Sequence, residues 1–171
     1  MANTFELIAS STVGAGGASS ISFSSIASTY GDLCLKVSSR GASTGTLVLV
    51  TFNSSGSGYQ ARWVDGDGSA TSSGTNNTTL QNLMAWTESS STTSNTFGNF
   101  ELYIPNYASS NYKTVVSDYV NENNATSGIS YGILANTWSN TAAINSISLS
   151  IYGGTNFAQY STAYLYGVKK S

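Results

Sequence analysis

The chain has no histidine, one cysteine (Cys34) and one proline (Pro105) in 171 residues, and only 8% of its side chains are charged. Each shortage closes off chemistry. Histidine is the commonest general base, proton shuttle and metal ligand, and this chain supplies none. No Ser-His-Asp or Cys-His nucleophile can be assembled from its residues. One cysteine without histidine leaves no ordinary zinc ligand set and no internal disulfide. Cys34 lies between Leu33 and Leu35 with no activating pattern, and reads as a small, half-buried residue. No catalytic residue, cofactor site or metal site is expected.

Charge of either sign is equally thin. The net charge is -2, and the six cations (Lys36, Arg40, Arg62, Lys113, Lys169, Lys170) are scattered. A nucleic-acid partner, which needs a basic surface, is not expected. No apolar run approaches the ~20 residues of a membrane helix, so no membrane partner is expected either. The opening residues Met1 to Glu6 lack the basic start and apolar stretch of a secretory signal. Export by that route is not expected.

The missing charges are replaced by 32 serines, 20 threonines, 17 glycines and 16 asparagines. Such a composition can mean disorder, but disordered chains lack aromatic and β-branched residues. This one has eleven Tyr, six Phe and three Trp among 40% hydrophobic residues. That is enough for the core of one soluble domain spanning residues 1–171.

The dominant period is two, that of a strand with one buried face. In Ser146-Ile147-Ser148-Leu149-Ser150-Ile151 the aliphatic residues share one face and the serines the other. Ser20 to Ser24, Leu33 to Val37, Tyr59 to Trp63 and Phe100 to Ile104 repeat the pattern. Gly/Asn/Asp-rich segments separate these runs as turns. Residues 68–79 and 89–96, longer and poorer in apolar residues, read as surface loops. Ten or eleven strands are predicted, near residues 3–13, 19–26, 32–39, 46–53, 58–64, 80–88, 97–104, 112–121, 129–138, 145–152 and 159–168. Many short strands at this spacing predict an all-β, antiparallel β-sandwich, with a jelly-roll-like order as first choice.

Several strands are apolar on both faces. Leu47 to Val50, Ile129 to Ala135 and Tyr160 to Tyr166 have this character. A two-layer sandwich needs one buried face per strand. The second face is therefore expected to meet a covering loop or another subunit, with Val48, Val50, Tyr131, Leu134, Tyr164 and Tyr166 as the candidate interface residues. A homo-oligomer is the favoured outcome.

Other features carry less. Eight carboxylates could in principle furnish a glycosidase pair, which runs without histidine, but any sandwich of this size offers candidate pairs. Asp65-Gly66-Asp67-Gly68 resembles the start of a calcium loop, yet Ser69 and Asn76 stand where further ligands belong, and a tight turn is the better reading. Exposed aromatics can stack on sugar rings. Trp63, Trp86 and Trp138 are the candidates for such ligand stacking, although tryptophans in strands are more often core or interface.

Some segments also carry a resemblance. They are Phe5-Glu6-Leu7-Ile8-Ala9-Ser10, Tyr103-Ile104-Pro105-Asn106-Tyr107-Ala108, Asn121-Glu122-Asn123-Asn124-Ala125, Trp138 to Ile144, and the closing run Phe157 to Val168 with its Ser161-Thr162-Ala163-Tyr164-Leu165-Tyr166-Gly167 pattern. In these the chain resembles small virion structural proteins of tailed bacteriophages, especially phages of aquatic bacteria and cyanobacteria. The resemblance implies a non-enzymatic structural protein on the surface of the phage particle, made in the host cytoplasm. It would be a capsid decoration or cement protein, or a small head or tail appendage. Its partners would be phage capsid or tail proteins and further copies of itself, with a trimer suggested by analogy. The alternative is a receptor- or carbohydrate-binding module of a tail fibre or spike, with a host surface glycan as partner.

Overall fold

The computed structural model describes residues 4–44, 47–80, 83–121, 123–124 and 130–170. Met1, Glu122, Ala125 and Ile129, named above, lie outside them. The described residues form twelve strands: β1 (Phe5–Thr12), β2 (Ser20–Phe23), β3 (Asp32–Ser39), β4 (Leu47–Phe52), β5 (Tyr59–Gly66), β6 (Thr71–Leu80), β7 (Leu83–Trp86), β8 (Gly98–Ile104), β9 (Lys113–Asn121), β10 (Tyr131–Trp138), β11 (Ile147–Ile151) and β12 (Thr162–Val168). They make two antiparallel sheets, one of eight strands in the order β1-β12-β3-β8-β9-β10-β5-β6 and one of four in the order β2-β11-β4-β7. The all-β, sandwich-like architecture is as expected. The strands divide eight and four, and this arrangement does not establish a jelly-roll order.

Alternation decides which side chains meet between the sheets. From the larger sheet Leu33, Leu35, Val37, Phe100, Leu102, Ile104, Val115 and Leu165 point inward, and from the smaller Ile21, Phe23, Val48, Val50, Phe52, Ile147, Leu149 and Ile151 do so. Serine occupies the intervening positions of β2 and β11, so that half of the smaller sheet's outer face is a hydroxyl ladder in which Ser22 and Ser148 hydrogen-bond at 3.0 Å. Trp138 stacks on Tyr59 with ring centroids 6.1 Å apart, and Phe52 meets its edge at 5.7 Å. The Phe52 backbone N–H donates to the Tyr59 hydroxyl at 2.8 Å, which satisfies a buried phenol.

Two expected loops fare differently. Residues 68–79 were expected as a loop, but Thr71–Leu80 is the edge strand β6, and the strand count rises to twelve. It is an edge strand paired only with β5, and its residues 71–75 are exposed or half-buried, which suits polar side chains on both faces. The turn before it holds Asp67, whose Oδ1 accepts the backbone N–H groups of Ser69 at 2.9 Å and Ala70 at 2.8 Å. The Asp65–Gly68 motif thus ends β5 and opens the β5–β6 hairpin turn at residues 67–70.

Residues 89–96 do form a loop, and one buried cation shapes it. The Arg40 guanidinium donates to the carbonyls of Thr92 at 3.0 Å, Thr93 at 2.9 Å and Thr96 at 2.9 Å. Lys113, also buried, donates to the Ser109 carbonyl at 2.8 Å. Burial lowers its pKa from the usual lysine value. Both cations collect loop carbonyls that no strand partner satisfies.

Candidate binding surfaces

The outer face of the larger sheet is the most organised surface among the described residues. Direct cross-strand pairing sets Tyr164 (β12), Lys36 (β3), Glu101 (β8), Asp118 (β9), Ile133 (β10) and Val64 (β5) in one row. The next row sets Thr162, Ser38, Asn99, Val120 and Tyr131 side by side. All of them except Val64 line an open groove of about 640 Å³. Tyr164 stands at one end of it, 38% exposed; Tyr131 and Ile133 stand at the other, 60% and 64% exposed.

The middle of this groove is charged. The Lys36 ammonium donates to Oε2 of Glu101, and the Cys34 thiol donates to Oε1 of the same carboxylate at 3.4 Å. The hydrogen bond from Lys36 holds the Glu101 carboxyl below the usual glutamate range, and the same bond raises the lysine. Cys34 lies between its cross-strand neighbours Tyr103 and Tyr166. Burial, with the Glu101 charge beside it, pushes the thiol up to about 12. A thiol so raised is a poor nucleophile at neutral pH. Asp118 is exposed on the groove, next to Glu101 in the row.

A second, simpler surface lies on the opposite side of the molecule. On the outer face of the smaller sheet Trp86 is paired with Leu47, and the Tyr152 backbone N–H donates to the Leu47 carbonyl at 2.9 Å. Trp86 and Tyr152 are exposed, while Leu47 and the nearby Leu49 are half-buried. This apolar corner adjoins the Ser/Thr positions of β2, β11 and β4.

The residues singled out from sequence are not brought together. Val48 and Val50 point into the core with no exposure, and Leu134 is also buried. As interface candidates these three are corrected: in the folded chain they face the opposite sheet and not a second subunit. The half-exposed residues of β4 are instead Leu47 and Leu49. Tyr131 and Tyr164 do reach the open face, and Tyr166 is half-buried there. Trp138, only 1% exposed and stacked on Tyr59, is core and cannot offer a face to a sugar. Trp63 also turns inward, half-buried, with its ring over Gly74 directly across the β5–β6 pair. Trp86 alone of the three is exposed, on the other sheet. Sequence reasoning missed Lys36, Glu101, Asp118 and Ile133. Their signal was present as the outward positions of alternating strands, but strand order was needed to align them.

Two carboxylates outside the groove hold the fold together. Glu6 pairs with Lys169 at 3.0 Å, and Asp32 accepts the Asn106 backbone N–H at 2.8 Å. Among the described residues no group of three or more His, Cys, Asp or Glu side chains is placed to hold a metal ion. None of the described residues forms a helix long and apolar enough to cross a membrane. No protein-family model matches the chain, and no curated protein matches it.

Proposed function

We propose that the chain is a non-enzymatic structural protein of a tailed-phage particle, a capsid decoration protein or a small head or tail appendage. The observation that carries it is the apolar corner formed by Trp86, Leu47 and Tyr152 on an otherwise hydroxyl-lined sheet face. Apolar groups gathered in this way favour a protein contact. The scarcity of charge suits a protein displayed in many copies, because neighbours repel each other little. A homo-oligomer, a trimer by analogy, would use the same corner. The test is mass spectrometry of purified phage particles, with the wild type compared with Trp86→Glu. Presence of the wild type in mature particles and loss of the folded variant from them is the expected result. Absence of the wild type from mature particles overturns the proposal.

A second reading, a receptor- or carbohydrate-binding module, is favoured by the tyrosine-ended groove on the opposite sheet. The two readings are compatible, because the groove and the apolar corner lie on opposite faces of the sandwich.

A further inference from the structure

We infer that the groove on the outer face of the larger sheet binds a neutral oligosaccharide, laid across the strands between Tyr164 and Tyr131. This rests on the second reading above and names its ligand class. Four lines of reasoning support it.

The first is size. The groove, about 640 Å³, falls within the range of small-ligand sites, about 300 to 1,000 Å³. From β12 to β10 there are four strand steps, or about 19 Å at ~4.8 Å per step. That length suits a short chain of rings better than a single one.

The second is the character of its ends. Tyr131 and Tyr164 are exposed rings that lie on neither the core side nor a covered face. An exposed tyrosine offers an apolar ring and a polar hydroxyl together. A sugar presents the matching pair, a C–H face and a rim of hydroxyls.

The third is the chemistry between the ends. Glu101 and Asp118 are adjacent carboxylates, and Asn99 and Ser38 lie in the next row. Hydroxyl donors bind a carboxylate through charge-assisted hydrogen bonds. Lys36 is engaged by Glu101, so the row carries one negative charge in excess: Lys36 offsets Glu101 and Asp118 remains. This excess selects against uronic and sialic acids and leaves neutral sugars as the class that fits.

The fourth decides against a protein occupant of the same groove. The cores of protein interfaces are depleted in charge. A second copy pressed onto this face would desolvate Lys36, Glu101 and Asp118 at the centre of the contact, and burial of a carboxylate without a partner is costly. Sugar hydroxyls supply the partners that an apolar protein surface lacks.

The experiment is isothermal titration of the intact protein with maltotetraose, cellotetraose and mannotetraose, and with tetragalacturonate as the acidic control. The expected result is binding of at least one neutral probe and none of the control. Tyr131→Ala and Tyr164→Ala should each weaken binding by about tenfold, the scale of one lost aromatic contact. Asp118→Asn should weaken it and admit tetragalacturonate. Melting curves of all three variants establish that each is folded; these positions are exposed, so little change is expected. No binding of any neutral probe at millimolar concentration overturns the inference. So does binding that survives in a folded Tyr131→Ala/Tyr164→Ala double variant. A dimer that dissociates in Tyr131→Glu would assign the face to a second copy and equally overturn it. Binding of tetragalacturonate alone would leave the second reading standing and overturn the neutral ligand class; particle membership is tested separately through Trp86.

Discussion

The Cys34 thiol and the Glu101 carboxylate meet at 3.4 Å, sulfur donating to Oε1, while the other oxygen of Glu101 takes the Lys36 ammonium. The three side chains come from two neighbouring strands, β3 and β8, and the cysteine is the buried member. Burial between two tyrosine-bearing strands and beside a carboxylate makes this thiol a probe of folding and not a reactive group.

Cys34 is therefore expected to resist thiol reagents in the native protein. At pH 8 a disulfide reagent should leave the folded chain unmodified and titrate one thiol per chain in guanidinium chloride. Its pKa of about 12 leaves almost no thiolate at that pH. Rapid stoichiometric reaction of the folded protein would contradict the burial described here.

The pH dependence of stability should have two flanks and a flat centre. Cys34 and Tyr59 are each raised by burial to about 12, from ordinary values of 9.0 and 10.0. Groups raised in this way contribute stability that is complete below their ordinary values and lost as pH rises towards 12. Lys113, lowered by burial, runs in the opposite direction and partly offsets that loss. On the acid side Glu101 is held below 4.5 by Lys36, and Asp67 is lowered to about 2 by the backbone N–H groups of Ala70 and Ser69. Their contribution is complete above 4.5 and 3.8 and falls away as pH drops. No histidine side chain titrates between. Urea midpoints measured from pH 2 to 11 should show a plateau from about pH 5 to 8; a step within it would contradict this assignment.

Gly98 should be hard to replace. A Cβ there would lie 2.7 Å from the Thr87 Cα and 3.1 Å from the Glu88 backbone nitrogen. These are main-chain atoms, which cannot turn away as a side chain can. Gly98→Ala should cost about 1 to 3 kcal/mol, the usual range for overpacking. Gly56→Ala, with nothing within 4 Å, should stay within about 0.5 kcal/mol. Denaturant titration of the two variants measures the difference, and equal midpoints would refute the packing argument.

Arg40 should be needed for the order of residues 89–96. Arg40→Met leaves the Thr92, Thr93 and Thr96 carbonyls without their shared donor; Thr93 keeps the Thr96 hydroxyl, so the cost should be about 1 to 3 kcal/mol, set mainly by the buried Thr96 carbonyl. Arg40→Lys should rescue little, because one ammonium cannot reproduce the guanidinium fork. Limited proteolysis should cut the loop in both variants and spare it in the wild type. A wild-type-like digest of Arg40→Met would overturn this role.

The strands were legible because their signal is local. In Ile147–Ile151 and Leu33 to Val37 the buried face can be read directly from every second residue. The same rule misreads two kinds of segment. In β6, residues 71–75 are exposed or half-buried on both faces, so alternation had nothing to mark. In β4 and β10 both faces are apolar, and periodicity cannot say which face is the inner one. Val48, Val50 and Leu134 were therefore assigned to a contact surface when they are core.

By itself the sequence determined the all-β class, the positions of most strands and the chemistry that cannot occur without histidine, because composition and a period of two are properties of single segments. Only the tertiary structure decided the candidate site. The row Tyr164–Lys36–Glu101–Asp118–Ile133 draws one residue from each of five strands that span most of the chain. Pairing order and register align them, and both are settled by packing between distant segments, which no local pattern encodes.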